Sequence, residues 1–127
     1  MALVIDLKPQ EKIIIGNSLI TNDSTRARLH IQGDAPILRE KEIMLQEEAD
    51  TPCKKIYLTL QLMYLSADPT TLQATYFDMI KNVQHAAPSC SLFFMKINDH
   101  LLNNHYYKAL KECHRLIEHE KELLSNA

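Results

Sequence analysis

Glycine is nearly absent: Gly16 and Gly33 are the only two in a chain of 127 residues. That scarcity excludes the glycine-rich phosphate loops, both the dinucleotide fingerprint and the P-loop, which need several glycines at close spacing. Cysteine is sparse too. Cys53, Cys90 and Cys113 are odd in number, far apart and form no CxxC pair, so the thiols are read as reduced. No apolar run approaches the ~18 residues that cross a bilayer, and no basic segment followed by an apolar stretch opens the chain. The expectation is a soluble, unexported, cytoplasmic protein that does not enter a membrane. Strong charge of either sign is also missing. The net charge is −2, so any nucleic-acid surface has to be a local patch.

Signatures of catalysis are equally scarce. No nucleophile, base and orienting group stand in a recognisable pattern, and HExxH is absent. His100 and His105, like His114 and His119, are five residues apart, which on one helix turns them about 140° from each other, poor geometry for chelating one ion. Cys90, between Ser89 and Ser91, reads as an exposed thiol without a base, and Cys113 as a small core residue. The expectation is a chain that is not an enzyme and holds neither metal nor cofactor.

What is there is a foldable core. Apolar residues make up 46% and charged residues 24%, ordinary for one compact domain. The first forty residues show short apolar and β-branched clusters separated by turn residues. Leu3 to Leu7 is stopped by Pro9; Ile13 to Ile15 runs into Gly16-Asn17, suited to a tight hairpin; Leu19 to Thr21 ends at Asn22-Asp23-Ser24. Arg26, Arg28 and His30 then alternate with Ala27, Leu29 and Ile31, and Ile37 to Arg39 reads as the last strand. One antiparallel sheet of four or five strands is expected.

From residue 40 the period changes. Thr51-Pro52 offers a cap followed by proline at the first helical position, before Ile56, Leu60, Met63 and Tyr64 recur at helical spacing. Asp68-Pro69 repeats the signal ahead of Leu72, Tyr76, Met79, Ile80 and Val83, and Pro88 separates the next helix. Leu102, Tyr106, Ala109, Cys113, Leu116 and Leu123 follow at four- and three-residue steps broken by Glu120, a heptad seam along one C-terminal helix. The fold class is therefore α+β: a β-rich part at 1–43 and a helical part at 44–127, expected to form one folded unit.

Two resemblances give this architecture a function. Residues Leu3-Val4-Ile5, Glu11 to Gly16, Arg28-Leu29-His30-Ile31, Asp34-Ala35-Pro36 and Leu38 to Ile43 follow the motif order of the carbon storage regulator (CsrA) family of RNA-binding translational regulators. Over nearly the whole chain, the sequence resembles more closely the flagellum biosynthesis repressor (FlbT) family. Arg39-Glu40-Lys41-Glu42-Ile43-Met44, Glu47-Glu48-Ala49, Thr51-Pro52 and Ile56 to Tyr64 carry that likeness. The second resemblance implies a protein that associates with the 5′ untranslated leader of flagellin messenger RNA, promotes its decay or blocks its translation, and works with the partner protein FlaF.

The first resemblance implies an RNA surface centred on Arg39 and flanked by Ile5, Leu7, Lys8 and Leu38. Arginine suits the place because its planar fork can bridge phosphate and base edge or stack on an unpaired base. The chain departs from that family in carrying Leu7-Lys8 where adjacent arginines are usual, and in a short Pro36 to Arg39 segment. Arg26 and Arg28 are a second candidate pair, projecting from one face of one strand about 7 Å apart, near the phosphate spacing of a single strand. The competing reading is a protein adaptor for flagellin or FlaF, using the C-terminal seam, Phe93-Phe94, Tyr106-Tyr107 and the acidic stretch Glu40 to Asp50. Open sheet edges and the heptad seam point to a homodimer or higher homo-oligomer.

Overall fold

The computed structural model describes residues 2–126, Ala2 by its backbone alone. They fall into two compact units that divide between Ile43 and Met44. The class is α+β, with five strands in the first unit and four α-helices in the second.

The strands are β1 (Ala2–Leu7), β2 (Lys12–Ile15), β3 (Ser18–Thr21), β4 (Ala27–Gln32) and β5 (Ile37–Arg39). They form two sheets rather than the expected single one: β1 pairs with β4, and β2 lies between β3 and β5, all antiparallel. The side-chain amide of Asn22 explains the split. It donates to the carbonyls of Leu7 at 3.2 Å, Lys8 at 2.8 Å and Thr25 at 2.8 Å, so the chain leaving β3 is tied to the end of β1. The following strand then pairs there, Leu29 opposite Ile5 and Ile31 opposite Leu3. Between β2 and β3, Gly16 adopts φ +64° at the first of the two turn positions, the arrangement of a type II′ hairpin. Alternation holds in β4, where Ala27, Leu29 and Ile31 turn inward and Arg28, His30 and Gln32 outward. Ile5, Leu7 and Ile13 form the core of this unit, with Ile15, Leu29, Ile31 and Ile37 packed against it.

The helices are α1 (Pro52–Leu65), α2 (Gln73–Ala86), α3 (Ser91–Leu102) and α4 (Tyr106–Ser125). The Thr51 hydroxyl accepts the backbone N–H of Lys54 at 3.2 Å, with Pro52 at the first helical position, as the Thr-Pro signal predicts. Asp68-Pro69 and Pro88 each open a short 3-10 turn, Pro69–Leu72 and Pro88–Cys90, ahead of α2 and α3. α4 packs along both α1 and α3, and α2 lies against α1. Ile56, Leu60, Tyr76, Ile80, Phe94, Ile97, Cys113 and Leu116 are buried between them.

Two expectations are corrected. Cys90 is an interior thiol, its side chain buried with Cys53 and Cys113 instead of exposed. Leu102 does not belong to the C-terminal seam. Asn104 takes φ +58°, and the N–H groups of His105 and Asn104 donate back to the carbonyls of His100 and Leu101, a left-handed cap that ends α3. His100 and His105 therefore stand on opposite sides of a helix break. Leu102 is 84% exposed, whereas Ala109, Cys113 and Leu116 keep the seam on α4. Glu120, which interrupts that seam in sequence, is itself buried: its carboxylate accepts the Cys53 backbone N–H and the Thr51 hydroxyl. Among the described residues no helix is long and apolar enough to cross a membrane.

Candidate nucleic-acid interface

The turn that follows β1 carries the first cation. Pro9 and Gln10 occupy its centre, Gln10 at φ +66°, and the N–H of Glu11 closes it onto the Lys8 carbonyl at 3.1 Å. Gln10 in turn donates its N–H to the carbonyl of Asp23 at 3.0 Å, which pins the turn tip. The Glu11 carboxylate then serves two neighbours. One oxygen accepts the Lys8 N–H at 2.8 Å, and the other lies 3.7 Å from Nη2 of Arg39.

Arg39 is the last residue of β5 and pairs with Ile13 of β2. Its backbone N–H donates to Glu42 at 3.0 Å, and its Nη2 donates to the backbone carbonyl of Asp6 at 2.9 Å. The guanidinium is thus oriented by a carbonyl and a carboxylate while its side chain stays 39% exposed. A fork with five N–H donors retains capacity for a ligand in that state. Glu40 is turned to the chain itself, accepting the N–H of Lys12 at 3.1 Å.

These residues line an open groove of about 540 Å³, with Lys8, Arg39 and Lys41 as its cations and Glu11 and Glu40 as its anions. Both carboxylates are committed to backbone or arginine partners, whereas the ammonium groups of Lys8 and Lys41 make no ion pair among the described residues. Three cations against two carboxylates leave the groove lining net positive, although the chain as a whole is not.

The second candidate pair lies nearby in the same unit. Arg28, on the outward face of β4, pairs with Asp6 of β1, Nε to Oδ1 at 2.9 Å. The hydrogen bond and charge of Arg28 hold the Asp6 carboxyl below its ordinary range, with smaller contributions from Arg26 and Arg39. Arg26 precedes β4 and is exposed. Asp6 therefore joins the two candidates, its carboxylate on Arg28 and its carbonyl on Arg39. Sequence reasoning missed Asp6, Glu11 and Lys41; the outward position of Asp6 in an alternating strand was the available signal for the first.

Ile5, Leu7 and Leu38, expected to flank Arg39, are instead interior: all three side chains are almost completely buried. Apolar residues at inward positions of short strands supply the core, so what they offer a ligand is backbone. Lys8 and Arg39 are brought to one groove, and Arg28 is linked to it through Asp6.

Residues 3–124 match the family described as flagellar protein FlbT. A probable flagellum biosynthesis repressor protein FlbT 1 of Bradyrhizobium diazoefficiens is 48% identical over 124 residues, covering 97% of this chain and 85% of its own. A probable flagellum biosynthesis repressor protein FlbT of Rhodopseudomonas palustris is 48% identical over 125 residues, 98% of this chain and 99% of its own. The flagellum biosynthesis repressor protein FlbT of Caulobacter vibrioides is 31% identical over 134 aligned positions, 99% of this chain and 92% of its own. No solved structure matches the chain. A match that runs from the first strand to the last helix, and relatives this similar over most of their own length, settle the family: the chain belongs to the FlbT family of flagellar proteins.

Proposed function

We propose that this chain is a non-enzymatic cytoplasmic regulator of flagellum biosynthesis that binds the 5′ untranslated leader of flagellin messenger RNA and represses its translation or promotes its decay. Relatives named as flagellum biosynthesis repressors supply the process. The likeness of the strand unit to carbon storage regulators supplies RNA as the ligand. The observation that carries the reading is Arg39, held by the Asp6 carbonyl and Glu11 at the edge of a groove where Lys8 and Lys41 make no ion pair among the described residues. A pre-oriented guanidinium beside two ammonium groups suits the phosphates and unpaired bases of single-stranded RNA.

The test is an anisotropy titration of the full chain against the flagellin leader RNA at two salt concentrations, with Arg39→Ala and Lys8→Ala/Lys41→Ala beside it. Salt-sensitive binding that both variants weaken supports the reading, because counterion release drives such association. Binding that neither variant changes sinks this groove as the site.

A second reading, an adaptor that grips flagellin or FlaF and affects the messenger indirectly, draws on a cavity in the helical unit. It measures about 470 Å³ and is lined by apolar groups including Val83, Leu123 and Leu124, with Cys53, Cys90 and Glu120. Absence of RNA affinity in the same titration would favour it.

A further inference from the structure

Helix α3 is apolar on two sides. Its inner side buries Phe94 and Ile97 completely, yet its outer side leaves Leu92 68%, Met95 66% and Leu102 84% exposed. Such side chains at one solvent face of a 12-residue helix form a stripe of the kind that marks an interaction site. Leu92, Met95, Asp99 and Leu102 follow one another at steps of three, four and three, so they share one seam. Those steps read the same in both directions. The midpoint of Leu92 and Leu102 is residue 97, and so is the midpoint of Met95 and Asp99.

We infer that the outer face of α3 is a twofold contact for a second copy of this chain, packed antiparallel about Ile97. A seam symmetric about its own centre is self-complementary, which is what an isologous interface needs. Leu92 of each copy falls against Leu102 of the other. Asp99, the one charged seam position, falls against Met95 of the second copy, with Lys96 of that copy one residue further on. Lys96 and Asp99 are both exposed and make no ion pair within the chain among the described residues, so each is available to the other across the axis. The pairing occurs twice by symmetry.

The helix also has a receiving surface. Leu102 and Phe77, itself 52% exposed, share a depression of about 250 Å³ with Leu101 and Tyr106. It lies where Leu92 of the second copy arrives, so each copy contributes one apolar knob and one hole. A contact built on one short helix and Phe77 is small for a stable interface, so a weak, concentration-dependent dimer is expected. This contact does not depend on what the strand unit binds.

The experiment is sedimentation velocity of the full chain over a concentration series, with Lys96→Glu, Asp99→Lys and the double exchange Lys96→Glu/Asp99→Lys. A concentration-dependent dimer is expected for the unmodified chain. Each single exchange sets like charges against each other twice and weakens the dimer at least about tenfold; the double exchange restores it. Leu92→Asp, at an exposed position, gives a monomer. A chain that stays monomeric at every concentration overturns the proposal and leaves the face to a different protein. A dimer indifferent to the single exchanges, or a double exchange no better than either single one, overturns it in favour of another surface.

Discussion

Glu120, near the end of α4, accepts the backbone N–H of Cys53 in the first turn of α1 at 2.9 Å. The same carboxylate accepts the hydroxyl of Thr51, which meanwhile caps Lys54. A negative group at a helix N-terminus satisfies orphan donors and favours the helix dipole. Here it comes from a distant helix, so it also locks α4 onto α1. Glu120→Ala, which leaves a buried N–H unpaired, is expected to cost about 2–3 kcal/mol in urea denaturation, and Glu120→Gln less. An unchanged midpoint for Glu120→Ala would refute the lock.

Arg39 separates charge from geometry. Arg39→Lys keeps the charge but loses the fork that Asp6 and Glu11 orient, so RNA affinity is expected to return only in part relative to Arg39→Ala. In the alanine variant the slope of log affinity against log salt should shrink by about one. Full recovery by lysine would mean that the groove senses charge alone.

Asn22 is the tether between the two small sheets. Asn22→Ala removes donors from the Leu7, Lys8 and Thr25 carbonyls and should destabilise the strand unit by about 1–3 kcal/mol. Hydrogen exchange is the readout: the amides of β4 should lose protection more than those of β2.

The interior thiols predict a pH dependence. Burial, with the Glu120 carboxylate beside them, pushes Cys53 and Cys113 far above the ordinary thiol range, and burial raises Cys90 as well. A raised folded value means that the folded chain keeps protons that the unfolded chain releases above about 8.5. Stability is accordingly full below that pH and declines as pH rises beyond it. The urea midpoint should fall between neutral and alkaline buffer, and an aromatic disulfide reagent should label the native thiols slowly and the denatured ones at once.

Much of the fold could be read before the structure because its signals are local. Thr51-Pro52 announced α1, Gly16-Asn17 the first hairpin, and the alternation from Ala27 to Gln32 a half-buried strand. What escaped depends on parts distant in sequence. Asn22 looked like any turn residue until Leu7 and Lys8 came beside it. Glu120 looked like a fault in a seam, because nothing around residue 120 says that the start of α1 arrives there. The break after Leu102 carries a local signal, Asn103-Asn104, but the apolar spacing runs straight through it. For the candidate interface, the cations were legible as residue types, while their selection was not. Inward pleating removed Ile5, Leu7 and Leu38 from the surface, and the turn at Pro9-Gln10 brought Lys8 and Glu11 to the Arg39 to Lys41 segment.

The amide of Gln61, buried in α1, donates to the carbonyl of Met44 at 3.0 Å and accepts its N–H at 2.8 Å, as a neighbouring strand would. Met44 is the first residue of the helical unit, well before the helix itself begins at Pro52. Anyone dissecting the protein should cut accordingly. A helical fragment started at Thr51 would leave the Gln61 amide with both its partners amputated, whereas one started at Met44 carries its own plug.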